Sequence, residues 1–60
     1  MEIIYKANGV LINESLAEWY FGEKFISSKT EIAKAAYEKN GKCSMKFWQS
    51  GTGYLTIEVF

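Results

Sequence analysis

The last third of the chain alternates apolar with polar or amphipathic residues at a period of two, which is the pattern of a half-buried β-strand. The alternation covers residues 43–48, stops at the turn-forming residues 50–53, and resumes over residues 54–60. Two such segments joined by a glycine-containing turn predict a C-terminal β-hairpin. The apolar members of the pattern are Cys43, Met45, Phe47, Leu55, Ile57 and Val59.

A helix is predicted before this hairpin. Ser28 and Glu31 have the spacing of a capping box, in which each side chain accepts a hydrogen bond from the exposed backbone N–H of the other residue. Good helix formers follow over residues 31–39. The sequence Asn40-Gly41 then supplies residues that tolerate the left-handed conformation at the end of a helix. We therefore expect one short helix that begins after Ser28 and ends before Gly41.

The first 27 residues allow more than one interpretation. Residues 2–6 are typical of a strand, and Asn8-Gly9 is a strong signal for a two-residue hairpin leading into residues 10–12. In the alternative, the first strand continues to Ile12 and the chain turns at residues 13–16.

Residues 18–26 are a second ambiguous segment. Ser15 and Glu18 also have capping-box spacing, and Leu16, Trp19 and Tyr20 fall at helical spacing. Gly22 in the middle of the segment and the aromatic run at residues 19–21 instead favour a strand. We predict a strand here.

Together these elements predict an α+β fold in one domain, residues 1–60, with the order ββαββ. One short helix would pack on one face of an antiparallel sheet and would leave the other face uncovered. Trp48 and Tyr54 flank the predicted turn, so we expect them side by side across the hairpin. The final strand, residues 54–60, is interpreted as an edge strand with only Glu58 to discourage pairing.

The composition restricts the chemistry that the chain can supply. It contains one Cys and no His, Arg, Asp or Pro, which rules out an internal disulfide and a structural zinc site. We expect no cofactor and no metal. Seven Lys and seven Glu cancel, so no net charge attracts the chain to nucleic acid. The lone thiol agrees with a reducing cytoplasm, and the absence of a long apolar stretch and of a secretory signal predicts a cytoplasmic protein with no membrane partner.

The residues that could carry out catalysis are few. Cys43 has no His to activate it, and its place in the alternation points inward. Ser44 and Lys46 stand two apart on one strand face, a spacing that is common and lacks an oxyanion hole. Carboxylate pairs such as Glu14 with Glu18 would need a cleft that shifts their pKa values, and a chain this short has little room for one. We therefore expect a protein that is not an enzyme.

The aromatic residues indicate a binding surface instead. Trp and Tyr are enriched where proteins bind one another, and an uncovered apolar sheet face marks an interaction site. The predicted contact residues are Trp48, Tyr54, Lys46, Phe60 and Tyr20. In the alternative interpretation, the same rings close over the core of a small domain.

Two further possibilities concern the partner. A single-stranded nucleic acid could stack on the aromatic face and contact Lys39, Lys42 and Lys46, although the zero net charge makes this the weaker hypothesis. A protein partner could pair with the final strand as an edge, and a second copy of the chain could do the same. The predicted architecture is similar, loosely and over the whole chain, to that of many small phage and mobile-element proteins that inhibit a host protein. That similarity implies an inhibitor or accessory protein that acts by occlusion.

Overall fold

Four antiparallel strands and two helices make up the fold. The structure is a computed structural model that describes residues 1–60. Its elements are β1 (Ile3–Ala7), β2 (Val10–Ile12), α1 (Glu14–Phe21), α2 (Glu23–Asn40), β3 (Cys43–Gln49) and β4 (Gly53–Val59). The α+β fold with a four-stranded antiparallel sheet is confirmed, and the helical part is larger than predicted. Neither helix combines the length and the hydropathy that a membrane-spanning segment requires.

Both predicted hairpins are present. Asn8 and Gly9 connect β1 to β2 with φ values of 51° and 86°, the left-handed pair that a two-residue turn of this hand requires. The alternative of a single strand continuing to Ile12 is therefore wrong. Between β3 and β4, Trp48 pairs directly with Tyr54, as predicted.

The position of β4 corrects the prediction of a free final strand. The strand order is β2-β1-β4-β3, so β4 lies inside the sheet, with β1 on one side and β3 on the other. Its pairing with β1 joins the two ends of the chain, because Glu2 and Phe60 exchange both of their backbone hydrogen bonds, at 2.6 and 3.0 Å. The edges of the sheet are β2 and β3. Pairing between strands this far apart in sequence leaves no local signal.

The strand predicted over residues 18–26 is wrong, because this segment is helical. Helix α1 begins after Asn13, whose side-chain Oδ1 accepts a hydrogen bond from the N–H of Leu16 at 2.8 Å. It ends at Gly22, where φ is 98°. Gly22 also precedes the first residue of α2, so this glycine connects two helices and does not weaken the interior of one.

Helix α2 also differs from the predicted helix at its start. It begins at Glu23, so Ser28 lies within the helix and not at its cap. Its end was predicted correctly, since Gly41 has a φ of 82° and its N–H bonds to the carbonyl of Tyr37 at 2.7 Å. The early start gives α2 18 residues, and these cross the sheet and contact both β3 and β4.

The core lies between the two helices and one face of the sheet. The buried apolar side chains are Tyr5, Ala17, Phe21, Ile26, Ala33, Leu55, Ile57 and Val59. The alternation therefore points Leu55, Ile57 and Val59 inward, as the sequence pattern predicts. The hydroxyl of Tyr5 forms a hydrogen bond of 3.0 Å with that of Thr30, so this buried polar pair is satisfied. Because both helices pack on this face, the opposite face carries no helix.

The two turns at one end of the sheet are held together by the side chain of Asn8. Its Oδ1 accepts a hydrogen bond from the N–H of Tyr54, and its Nδ2 donates to the carbonyl of Thr52, both at 2.9 Å. The side chain lies against Gly53, which has a φ of 104°. A Cβ at Gly53 would overlap Oδ1 of Asn8. Gly53 is thus required twice, for its backbone conformation and for the space that Asn8 occupies.

We expect Gly53→Ala to destabilise the fold more than Gly51→Ala does. Both glycines have a positive φ, but a Cβ at Gly51 would meet no atom within 4 Å. The Gly51 variant should therefore show only the conformational cost of about 1 kcal/mol. The Gly53 variant adds the overlap with Asn8 and should lose roughly 1–3 kcal/mol more. Urea denaturation of the two variants measures the difference in free energy of unfolding. Equal losses in the two variants would contradict the role given to Asn8, and Asn8→Gly should recover part of the loss in the Gly53 variant.

Candidate protein-binding surface

We call the side of the sheet that carries no helix the open face. The register of the three strand pairs places every second residue of each strand on this side. Five of these side chains are apolar or aromatic, although none of residues 1–60 covers them. The open face consists of Ile4, Lys6, Leu11, Ser44, Lys46, Trp48, Tyr54, Thr56 and Glu58, together with Glu2 and Phe60, which pair with each other just beyond β1 and β4.

Three side chains at one end of the open face form what we call the aromatic corner: Trp48, Tyr54 and Lys46. The rings of Trp48 and Tyr54 meet edge to face, with centroids 5.0 Å apart. The ammonium group of Lys46 lies 5.5 Å from the centroid of the Tyr54 ring. Trp48 is nevertheless 62% exposed. An exposed Trp in a defined orientation is the kind of side chain that dominates the energy of protein interfaces.

The aromatic corner is anchored by the turn that it flanks. The side-chain amide of Gln49 donates to the carbonyl of Phe21 at the end of α1, at 2.8 Å. The hydroxyl of Tyr20 donates to the carbonyl of Thr52 at 3.2 Å. Together with the bonds from Asn8, these contacts attach the turn to α1 and to the first hairpin. Trp48 and Tyr54 therefore stand on a backbone that is held from two sides, by α1 and by the first hairpin.

The open face carries two lysines, Lys6 and Lys46, and two glutamates, Glu2 and Glu58. Lys6 and Glu58 form the one salt bridge of the chain, with Nζ and Oε2 3.2 Å apart. This pair uses the carboxylate of Glu58, so Lys46 on the open face and Lys42 at its margin have no acidic partner. The aromatic corner therefore contains one ammonium group without an acidic partner, that of Lys46, and the second, that of Lys42, lies at the other end of β3.

Phe60, another predicted contact residue, lies on the same face but far from the aromatic corner. It is six residues beyond Tyr54 along β4, which places it about 20 Å away. Phe60 lines an open depression of about 560 Å³ together with Ile4, Lys42, Ser44 and Glu58. Cys43 completes the lining. A ligand that contacted both ends would have to extend along most of the sheet.

Tyr20, the fifth predicted contact residue, is not on the open face. It lies on α1, where its ring packs edge to face against Phe21 with centroids 5.1 Å apart. It lines an apolar groove between α1 and the first hairpin, on the side of the sheet that the helices cover. The groove is lined by Ala7, Val10, Ile12, Leu16 and Tyr20. Tyr20 is thus separated from the four other predicted contact residues.

Trp19 is an exposed residue that the sequence argument did not select. It is 79% exposed, more than Trp48, and it lies on α1. Leu16, Trp19 and Tyr20 have helical spacing in the sequence. Because residues 18–26 were predicted to form a strand, Trp19 was not identified as an exposed residue of a helix. Lys6 was missed for another reason: its place on the open face depends on the pairing of β1 with β4.

The residues considered for catalysis lie apart from one another. The Sγ of Cys43 faces the helices and donates to the carbonyl of Ala33 at 3.5 Å. Ser44 and Lys46 share the open face, where both are exposed. Glu14 and Glu18 line a depression on the opposite side of the molecule. No three Glu or Cys side chains lie close enough to one another to hold a metal ion.

Comparisons of this chain with protein-family models, with curated proteins and with solved structures found no match. The interpretation of the open face therefore depends on its own geometry. Three features describe it: an uncovered sheet face, an exposed and anchored aromatic corner, and lysines without acidic partners.

We expect Trp48→Ala to fold and to lose less than about 1 kcal/mol of stability, because most of the Trp48 side chain is already in water. Leu55→Ala is the contrast, since Leu55 is 0% exposed and its truncation should cost about 2–5 kcal/mol. Chemical denaturation followed by circular dichroism measures both values. A loss in Trp48→Ala as large as that in Leu55→Ala would show that Trp48 belongs to the core.

Proposed function

We propose that the chain is a non-enzymatic protein-binding module that docks through its open face. The observation that carries this proposal is the aromatic corner, where Trp48 is exposed yet held against Tyr54. Contact between the apolar Trp48 ring and water is unfavourable. A partner that covered the ring would gain free energy by removing apolar surface from water. The partner would cover Trp48 first and then extend over Lys46.

The surroundings of Trp48 support a protein as the partner. Interface hot spots combine a large aromatic ring with polar groups that stay satisfied at the rim. Tyr54 and Lys46 supply such groups directly beside Trp48. The ion pair of Lys6 with Glu58 adds a polar region that can exchange hydrogen bonds with another protein surface.

A nucleic-acid partner has weaker support from the same residues. Of the three lysines in that hypothesis, Lys42 and Lys46 lie near the open face, whereas Lys39 belongs to the last turn of α2. Glu58 offsets the charge of Lys6 on that face. Surfaces that stack bases normally add Arg and a net positive charge, whereas this chain has no Arg and a net charge of zero.

The mode of action in this proposal is steric occlusion in the cytoplasm. A chain of 60 residues with one open face can cover a functional surface of a larger protein without taking part in chemistry. This is the action expected of the small phage and mobile-element inhibitors that the architecture resembles.

The proposal predicts that one protein is captured in stoichiometric amount and is lost in Trp48→Ala. The experiment is affinity capture with the tagged chain, using a lysate of the cells that produce it, with mass spectrometry for protein and absorbance for nucleic acid. Truncation of a central aromatic anchor should weaken binding by about 2 kcal/mol or more, roughly thirtyfold.

Trp19→Ala is the matched control. It removes an equally large exposed ring from the side of the molecule that carries the helices. Retention of the captured protein by Trp19→Ala and its loss by Trp48→Ala would support the open face as the binding surface. The reverse result would place the interface on α1. Captured nucleic acid that is released as salt rises would instead favour the alternative function.

A further inference from the structure

Strand β3 is the long free edge of the sheet. It has seven residues, Cys43–Gln49, and only β4 pairs with it. The other edge, β2, has three residues. An exposed edge of seven residues is long enough to hold several main-chain hydrogen bonds to an added strand.

The hydrogen bonds of β4 identify which groups of β3 are free. Tyr54 and Phe60 both bond to β1: Tyr54 accepts from Asn8, and Phe60 exchanges both bonds with Glu2. In an antiparallel sheet successive residues of an interior strand direct their N–H and C=O groups to alternate neighbours. The even-numbered residues of β4 therefore bond to β1, and the odd-numbered residues bond to β3.

The pairing register between β4 and β3 shows which residues of β3 bond to β4 and which do not. The odd-numbered residues of β4 stand opposite Cys43, Met45 and Phe47, which use their backbone groups in that ladder. Ser44, Lys46 and Trp48 stand opposite the even-numbered residues. Their N–H and C=O groups consequently point away from β4, to the outside of the sheet. Two of these three residues, Lys46 and Trp48, belong to the aromatic corner.

Lysines flank this free edge on both sides. Lys42 and Lys46 stand on the side of the open face. On the other side Lys29 of α2 lies over Phe47, with Nζ 5.7 Å from the ring centroid, and over Phe25 at 5.2 Å. No carboxylate occurs in β3.

Three of the five helical carboxylates lie on the other flank of the molecule. Glu14, Glu18 and Glu31 line a depression beside Tyr5 of β1, together with Lys34. The free edge is thus locally basic although the whole chain is neutral.

We propose that β3 accepts an extended acidic segment of the partner as a fifth strand, a proposal that rests on the proposed function of the open face. Main-chain bonds to Ser44, Lys46 and Trp48 would supply the pairing. Carboxylates on one face of the added segment would meet Lys46 and Lys42, and its apolar residues would continue the half-buried row of β3. The charge on the edge selects an acidic segment over a neutral or basic one.

A second copy of the chain suits this edge less well. Two β3 strands related by a two-fold axis would bring the lysines of both copies together, with no acidic residue in either strand to neutralise them. Like charges across a strand pair destabilise it. The same lysines favour a carboxylate-bearing strand.

The test uses a synthetic peptide, Thr-Glu-Val-Glu-Val-Glu-Thr with blocked ends, and the matched peptide in which Lys replaces each Glu. Amide hydrogen exchange by NMR should first show rapid exchange at Ser44, Lys46 and Trp48 and slow exchange at Met45 and Phe47. The Glu peptide should then slow exchange at the first three positions at least about fivefold and bind at least about tenfold more tightly than the Lys peptide. Its affinity should fall as salt rises.

Two variants examine pairing and charge separately. Ser44→Pro removes an outward N–H without breaking a bond to β4, so the fold should persist and the Glu peptide should no longer bind. Ser44→Ala is its control and should bind normally. Lys46→Glu should reduce the preference for the Glu peptide, because only Lys29 and Lys42 then remain beside the edge, and this result does not depend on whether the proline variant folds.

Several outcomes would overturn the proposal: no protection at roughly 5 mM Glu peptide, equal binding of both peptides, protection confined to β2, or dimerisation of the free chain through β3. Capture of the cellular partner separates this inference from the proposed function. A protein that is lost in Trp48→Ala but retained by a folded Ser44→Pro would leave the open face as the interface and exclude strand addition.

Discussion

Burial of the inward face of β4 is the interaction on which the rest of the structure depends. Leu55, Ile57 and Val59 are completely covered, and the helices reach them with Ile26 and Ala33. The same strand forms the ladders to both β1 and β3, so it organises the sheet as well as the core. The buried apolar side chains of the 60 residues form one cluster, so no second core adds stability. Removing this contact would take from α2 part of the sheet surface on which it packs, and α1 packs on α2 and β1 in turn.

The open face is a direct consequence of that arrangement. Both helices use their apolar sides on the inner face of the sheet, and none of residues 1–60 covers the outer one. The chain places amphipathic side chains there, such as Trp48 and Tyr54, which combine a large apolar body with a polar edge. The bonds from Asn8 and Gln49 hold the adjoining turn, so the exposed rings have a defined position. A defined apolar feature in water is what a binding partner can recognise, and our functional proposal follows from this.

The distribution of charge indicates which kind of partner that surface favours. The totals of Lys and Glu are equal, yet the fold separates them. Lys29, Lys42 and Lys46 are separated in sequence and surround one edge of the sheet, whereas glutamates of both helices gather beside β1. The free backbone groups of β3 lie within the basic region. The free backbone groups and the surrounding lysines therefore both favour an extended acidic segment at this edge. The net charge of the chain indicates neither the free groups nor the local concentration of lysines.

What the sequence by itself determined was local. The two-residue turn at Asn8-Gly9, the stop at Asn40-Gly41 and the inward alternation of Leu55, Ile57 and Val59 each depend on neighbouring residues, and each was predicted. The tertiary structure decided that residues 18–21 are helical. Gly22 favours a strand when it is read locally, and it can connect two helices only because both helices pack on a common core. It also decided that β4 is interior and β3 is an edge. Pairing between residues more than 50 positions apart, such as Ile3 with Val59, depends on the packing of the whole chain and has no counterpart in local periodicity.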